Sequence, residues 1–338
     1  MIRLEEVLYI DKRQKNTSDY FSPLAPTELK IKLIPDDSID VDTTLSIITN
    51  TLIIILLEYI PIYAFSINEI DIRENSSIFN NNEMSLRLSQ YILPVNVPVK
   101  YLNKKYWPIN EYTYVHNNKH KNDKTIVQMY INEKNESKND IKNVTSETSK
   151  FYVDNNEIFP FDPKFPALII KLKPGESFVA TCTGILGVAK KKGNEIWASS
   201  NSFFEVDIEN RYSILTIEST GQMDEYELFS RACFIIQKEF GRIKKTLLET
   251  LEDNKDKLVE LTIDNIDFVF MNILNDFLQD HPDVFCSGIS LVNCIEETSI
   301  LRINVETDLY SIIEESIDSI IKLFKDFEKQ IKKLAGSH

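Results

Sequence analysis

The stretch Leu215–Phe229, LTIESTGQMDEYELF, joins an alternating apolar run to the opening of a long charged helix. The alternation predicts a strand, and a Ser-Thr-Gly break ending at Gly221 interrupts it with one of the eight glycines in the chain. Glycine permits a reversal of the chain that a Cβ would obstruct. Asp224 then stands where a helix N-cap is expected, with Glu227 at the third helical position. The stretch therefore predicts a strand–turn–helix joint rather than a pair of catalytic carboxylates.

The helix after this joint is one of two long segments with apolar residues at helical spacing. The first segment runs from Asp224 to about Asn254, and the second from Asp308 to Leu334. Steps of three and four residues place the apolar side chains on one face of each helix. Neither half of the chain offers another helix to cover its stripe, so we expect the stripes to pack together, although such stripes are ordinary core in most proteins. The predicted contact residues are Phe229, Cys233, Ile236, Phe240, Ile243, Leu247, Ile313, Ile317, Ile320, Phe324 and Phe327.

The remaining patterns predict an α/β chain of the α+β type, built from several units. Alternating runs such as ELKIKLIP and SILRINVE predict strands, and runs with helical spacing stand between them. A region rich in Asn, Lys, Tyr and Pro predicts a loop-rich insertion, in which Glu133–Asp140 is expected to be partly disordered. The expected division is a polar N-terminal extension (1–27), a first α/β unit (28–102 and 200–254), an inserted β-rich subdomain (103–199), a second α/β unit (258–334) and a tag remnant (335–338).

The composition favours protein partners over nucleic acid. The formal net charge is −14, whereas a grip on a phosphate backbone requires clustered Lys and Arg, so little or no direct DNA contact is expected. The four cysteines lie far apart without a Cys-x-x-Cys pair, which predicts buried thiols in a reducing compartment and no metal or cofactor. No Gly-x-Ser-x-Gly elbow, Gly-rich phosphate loop or His-Glu-x-x-His helix occurs, so an enzyme is the weaker alternative.

The apolar stretch Leu45–Phe65 raises the question of a membrane span. Asn50, Glu58 and Pro61 interrupt it, whereas a span needs about 20 nearly uncharged apolar residues. We therefore expect a buried core helix and no membrane contact. The opening MIRLEEVLYIDKRQKN is charged and mixed, unlike a signal peptide, so a cytoplasmic location is expected.

Local motifs along the chain resemble the α-like subunits of cellular RNA polymerases. The most specific motif lies in Leu168–Ser199, where a Lys-Leu-x-Pro-Gly-Glu turn between two strands is followed by Gly184, Gly187 and Trp197. The joint in Leu215–Phe229 is similar to the strand that runs through Glu-Ser-x-Gly into the dimerisation helix of that family.

The order of the units extends the resemblance to most of the chain. Residues 28–254 resemble the archaeal D subunit and the third subunit of eukaryotic polymerase II, and residues 258–334 resemble the archaeal L subunit and the eleventh subunit. Their fusion in one chain is similar to the combined subunit of asfarvirus-like and giant-virus transcription machinery. The resemblance implies two α-like dimerisation units paired through their long helices, in a subunit without catalytic residues or cofactors.

The same resemblance implies the partners of the chain. Such a subunit is an assembly platform for the two largest polymerase subunits and for small polymerase subunits. Because both halves are present in one chain, a monomeric pseudo-dimer is expected rather than a homodimer, located in the virus factory and virion if the chain is viral. A stand-alone interaction scaffold or transcription regulator with the same fold is the alternative.

Departures from the family pattern affect the expected contacts with a large subunit. The family carries paired arginines on its first helix where this chain has Ile53 and Ile54, and the metal-binding cysteine cluster of some members is absent. The last unit keeps Asn272 from the family's His-Thr-Leu-Gly-Asn helix opening but loses its His and Gly. The candidate contact residues are Asn50, Leu52, Ile53, Ile54, Arg87, Lys190, Lys191 and Lys192.

Overall fold

The computed structural model describes residues 2–11, 27–37, 39–91, 93, 126–159, 166–192, 197–251, 258–264, 266–293, 298–306 and 308–336. The strands are β1 (Ile2–Asp11), β2 (Thr27–Pro35), β3 (Ile62–Asn75), β4 (Val127–Lys134), β5 (Lys142–Thr145), β6 (Lys150–Val153), β7 (Asn156–Ile158), β8 (Leu168–Leu172), β9 (Ser177–Gly187), β10 (Ser200–Asp207), β11 (Tyr212–Ser219), β12 (Leu258–Ile263), β13 (Val284–Asn293) and β14 (Thr298–Val305). The helices are α1 (Ser46–Glu58), preceded by a π-helical turn at Val41–Leu45, then α2 (Asn81–Ser89), α3 (Ala189–Lys192), α4 (Glu225–Leu251), α5 (Phe268–Gln279) and α6 (Leu309–Ala335). All strand pairs among the described residues are antiparallel. This mixed architecture agrees with the predicted α+β class.

The first sheet has the strand order β1-β2-β11-β10 and presents alternate residues to a core. In β2 the alternation buries every second side chain from Leu29 to Leu33. The polar extension predicted for residues 1–27 is wrong for its first part, because β1 pairs with β2 and buries Ile2 and Leu4. The charged residues of β1 interrupt the alternation of apolar and polar residues, so the sequence does not indicate this strand clearly. Residues 12–26 lie outside the described part of the chain.

Helix α1 packs against α4, α5 and β10 and is buried on most sides. Together with the π-helical turn it forms Val41–Glu58, the one helix among the described residues with the length and composition to cross a membrane. Asp40 caps the segment by accepting a hydrogen bond from the Asp42 N–H at 3.2 Å. In this structure the segment is a core helix, as its interruptions predicted, because both the first sheet and α5 cover it.

The second sheet, with the order β3-β9-β4-β6-β7, and the small pair β5-β8 enclose a separate core together with α2. The expected division assigned residues 28–102 wholly to the first unit, but β3 contributes to both cores. Ile62 and Ala64 belong to the first core, while Tyr63 and Phe65 belong to the second. A strand that is buried on both faces has a continuous apolar sequence. The sequence therefore does not show that the two faces of β3 belong to different cores.

A hydrogen-bonded turn follows β4, where partial disorder was expected over Glu133–Asp140. The side chain of Asn135 is 2% exposed, and its Nδ2 donates to the carbonyls of Asp140 and Leu172 at 2.8 Å each. A buried amide with both donors satisfied fixes the backbone around it. The polar residues whose composition predicted disorder therefore form the hydrogen bonds of this turn. Residues 103–125, 160–165 and 193–196 of the predicted insertion lie outside the described residues.

The third sheet, with the order β12-β14-β13, belongs to the last unit and packs against α5, which in turn contacts α6. The predicted hairpin is confirmed as β13 paired with β14. Helix α6 continues to Ala335, so the stretch 335–338 begins within the helix rather than beyond it. Asp308 caps α6 by accepting from the Ser311 N–H at 3.3 Å.

The joint between β11 and α4 matches the prediction in its glycine and its cap. Gly221 has φ +96°, a region that side chains with a Cβ rarely enter. The carboxylate of Asp224 accepts the Tyr226 N–H at 2.9 Å and so caps the helix. The carboxylate of Glu227 accepts from the Nε of Arg231 one turn further along at 2.9 Å. Beyond the joint, α4 contacts β2 and β11 of the first sheet and packs along α6 of the last unit.

Candidate functional site: the contact between the long helices

Helices α4 and α6 pack against each other along their apolar stripes. All eleven predicted stripe residues are at most 1% exposed. One aromatic pair crosses the contact, since the rings of Phe229 and Phe327 lie 6.3 Å apart, and within α6 the rings of Phe324 and Phe327 meet edge to face at 5.6 Å. Each fully buried large apolar side chain stabilises by roughly 1.5–3 kcal/mol. The stripes therefore form a continuous apolar seam between the two halves of the chain.

Polar contacts at the rim set the direction of the two helices. Lys244 Nζ lies 2.8 Å from Asp318 Oδ1 and 2.9 Å from Glu314 Oε1. Gln237 Nε2 donates to Glu328 Oε2 at 3.1 Å. Because the partner numbers fall along α6 as they rise along α4, the helices run antiparallel. Exposed ion pairs add little stability, so these contacts contribute mainly to the register of the seam.

Cys233 lies within the seam as an apolar residue rather than a reactive one. Burial raises the pKa of its thiol well above the ordinary value, and the carboxylate of Glu328 raises the pKa further. A thiol with a raised pKa is a weak nucleophile and a weak metal ligand. Among the described residues, no group of three or more His, Cys, Asp and Glu side chains is arranged to hold a metal ion.

Helix α5 adds a third element to the seam, which the sequence analysis did not predict. The ring of Phe270 meets Phe240 of α4 at 5.9 Å and Tyr59, after α1, at 5.7 Å, both edge to face. The apolar run FVFMNIL that opens α5 was the available signal. A single sequence, however, does not say which apolar faces meet.

Lys190, one of the expected outward contacts, instead joins the two halves of the chain. Its Nζ lies 2.7 Å from Asp267 Oδ2, and the same carboxylate accepts from the Tyr59 hydroxyl and from the Val269 N–H at the start of α5. Burial acts to raise the pKa of Asp267, but the hydrogen bonds from Lys190 and Tyr59 outweigh burial and lower it. The contacts of the Asp267 carboxylate therefore hold α3, the end of α1 and the start of α5 together.

The other expected contact residues divide into buried and exposed ones. Leu52 is 0% exposed and Ile53 is 8% exposed, so their side chains are core residues of this chain and do not present a surface. They are buried because α1 is apolar on most faces. Asn50 and Arg87 are exposed, and Ile54 is half-buried. The side chains of Lys191 and Lys192 lie outside the described part of the structure.

Comparison with known proteins gives one relative and no family assignment. No family model matches the chain. A protein of Acanthamoeba polyphaga mimivirus with the name "Putative DNA directed RNA polymerase subunit" is 24% identical over 217 residues, which cover 61% of this chain. The matched part spans 59% of the length of that relative. The match supports an RNA polymerase subunit without specifying which subunit.

Proposed function

We propose that this chain is a non-catalytic subunit of a multisubunit DNA-directed RNA polymerase, in which the α4–α6 seam pairs two α-like units within one chain. The observation that carries the proposal is the burial of all eleven stripe residues between two long helices from opposite halves of the sequence. The name of the mimivirus relative points to the same class of complex. Local motifs such as the turn before β9 add to this support.

The paired units act as an assembly platform. A seam closed by apolar packing leaves the outer faces of both units available for other subunits, and the two largest polymerase subunits, with small subunits, are the partners that this role requires. Fusion raises the effective concentration of one unit for the other to roughly the millimolar range, so the chain is a pseudo-dimer and does not form a homodimer. The net charge of −14 opposes direct contact with DNA.

The outward contacts of the platform are assigned to exposed residues. Asn50 and Arg87 are exposed, and Arg87 lies over the ring of Phe79 at 5.0 Å, an arrangement that holds the guanidinium at the surface. We place the platform in the cytoplasm, in the virus factory and the virion if the chain is viral. No membrane partner and no cofactor enter this role.

Affinity purification of the full chain from the cells that produce it tests the proposal. Two very large polypeptides should co-purify in equimolar amounts, with RNA synthesis activity in the purified complex and none in the chain alone. Their absence under gentle conditions would refute the polymerase role and would favour a stand-alone scaffold. Activity of the isolated chain would indicate an enzyme.

A further inference from the structure

The C-terminal half of α6 carries a row of lysines on the face opposite the seam. Steps of three, four, three and one residues separate the members of this lysine row, which are Lys322, Lys325, Lys329, Lys332 and Lys333. All of them are exposed, whereas Phe324 and Phe327 between them are 0% exposed. Such steps return to the same side of a helix. The lysine row therefore follows one face of α6 for about 17 Å.

The lysine row lies between two neighbours of α6 and is covered by neither. On one side α6 packs along α4, where Gln237 donates to Glu328 at 3.1 Å. On the other side α6 contacts β1, where Gln330 donates to the Ile2 carbonyl at 3.1 Å. Helical spacing puts the lysines between Glu328 and Gln330 around the helix. The row is therefore an accessible surface with defined borders.

Ion pairs within α6 involve only two of the five lysines. Lys329 Nζ lies 3.3 Å from Asp326 Oδ1, and Lys332 pairs with Glu328. The other three lysines of the row form no ion pair with any described residue. The row therefore keeps a surplus of positive charge, although the formal net charge of the chain is −14.

The helix dipole accounts for the last lysines of the row but not for the first ones. Lys332 and Lys333 lie in the last turn, where the partial negative charge of the terminal carbonyls favours cations. This effect is confined to about one turn, and Lys322 and Lys325 precede the end of the helix by more than about two turns. Unpaired lysines so far from the helix end favour an anionic partner outside the chain.

The surroundings of the lysine row favour protein carboxylates over phosphates. Single-stranded nucleic acid is usually held by basic side chains together with aromatic ones that stack on the bases. The aromatic side chains along this part of α6, Phe324 and Phe327, are buried in the seam and cannot stack. Asp326 and Glu328 border the row and would repel a continuous line of phosphates, whereas a short acidic segment places a few carboxylates between them.

A second copy of this chain fits the lysine row less well. The first half of α6 is acidic on the same face, so two copies turned end to end would bring opposite charges together. Glu314 and Asp318, however, already bind Lys244 at 2.9 and 2.8 Å, and Glu315 Oε2 lies 3.6 Å from His281 Nε2. Two chains with a net charge of −14 each also repel each other.

We propose that the lysine row is a docking site for an acidic helical segment of a partner protein. The Asp or Glu residues of this segment recur at steps of three and four, which match the spacing of Lys322, Lys325 and Lys329. The ammonium groups supply charge complementarity, and the apolar stems of the lysines supply contact area. This surface faces away from the α4–α6 seam, and its use does not depend on the polymerase role.

A designed peptide tests the site with the full chain. The probe is a fluorescent alanine-based peptide of about fifteen residues, cross-linked to keep it helical, with Glu residues at steps of three, four and three. One control peptide has Gln in place of Glu, and a thymidine oligonucleotide of the same length represents nucleic acid. Anisotropy should show binding of the Glu peptide below about 1 mM, and binding of both controls at least about tenfold weaker.

Matched double variants locate the site. Lys322→Gln combined with Lys325→Gln should weaken binding of the Glu peptide at least about fivefold, because both unpaired ammonium groups are lost. Lys138→Gln combined with Lys150→Gln removes the same net charge at exposed positions outside α6, and should change binding less than about twofold. Thermal unfolding checks that both double variants fold.

Several outcomes would overturn the proposal. These are equal binding of the Glu and Gln peptides, equal effects of the two double variants, and no binding of the Glu peptide at about 1 mM. Tighter binding of the oligonucleotide would identify nucleic acid as the occupant. A homodimer in sedimentation that the double variant in α6 abolishes would identify a second copy, and either of these results would overturn the proposal too.

Discussion

At the scale of single residues, Gly221 and Gly241 lead to opposite predictions, because the backbone conformation requires glycine at the first position and only tolerates it at the second. Gly221 has φ +96°, whereas Gly241 lies in α4 with no atom within 4 Å of an added Cβ. We expect Gly221→Ala to destabilise the protein by about 1 kcal/mol or more, and Gly241→Ala to stabilise it by up to about 1 kcal/mol, because alanine favours helix and disfavours positive φ. Urea unfolding of both variants measures this. Shifts of the same sign would contradict the assigned backbone of the joint.

Asp276 of α5 makes stability depend on pH. The residue is 8% exposed, and burial raises the pKa of its carboxyl to about 6, with nearby Asp280 and Asp40 adding to the effect and a hydrogen bond from Thr44 opposing it. Because the folded pKa lies above the ordinary value of 3.8, the protonated form stabilises the fold. This contribution is complete below about pH 4 and is lost as the pH rises through about 6.

The variant Asp276→Asn isolates that effect, since asparagine stays neutral at every pH. We expect it to be about 1–3 kcal/mol more stable than the wild type at pH 8, because the wild type must then bury a charge. Near pH 4 the difference should shrink towards zero. Urea unfolding at both pH values is the measurement, with Asp37→Asn as the control, because Asp37 is exposed and does not contribute to the pKa of Asp276. A difference that does not change with pH would show that the carboxyl is not the cause.

At the scale of elements, the α4–α6 seam depends on a dry apolar interior. Phe324 is 0% exposed, so Phe324→Asp places a carboxylate where no water can solvate it. We expect a loss of about 4 kcal/mol or more in the free energy of unfolding, or failure to fold. Lys325→Asp introduces the same side chain at the next position, which is exposed, and should change stability by less than about 0.5 kcal/mol. Circular dichroism during urea titration compares the two variants, and similar losses would argue against a buried seam at Phe324.

Elements with strong periodicity could be predicted from the sequence. Features that depend on which distant residue a side chain contacts could not. The stripes of α4 and α6, the hairpin β13–β14 and the glycine joint follow from local patterns, because each has its period or its turn chemistry within a few residues. Strand β1 was missed because its charges mask the alternation. Lys190 was expected to contact a large subunit on the basis of the family resemblance, whereas its partner Asp267 lies 77 positions further along the chain. Contacts at that separation leave no trace in one sequence.

At the scale of the whole molecule, the seam predicts that the two halves stay together without a covalent link. A protease site placed in residues 252–257 allows the purified chain to be cut after it has folded. The apolar packing of α4 on α6, the ring contact of Phe270 with Phe240 and the Lys190–Asp267 pair all cross from one half to the other. We therefore expect the cut chain to elute from a sizing column as one species of unchanged size.

Dilution of the cut chain then measures the strength of the seam. Fusion contributes an effective concentration of roughly the millimolar range, and cutting removes that contribution but leaves the buried contacts intact. The fragments should stay associated at micromolar concentration, since the seam is as apolar as a protein core. Lys190→Ala should promote their separation on dilution, whereas Lys245→Ala, at an exposed surface pair with Glu249, should not. Immediate separation of the cut wild-type chain, or a stable homodimer of the uncut chain in sedimentation, would contradict an intramolecular pairing of the two halves.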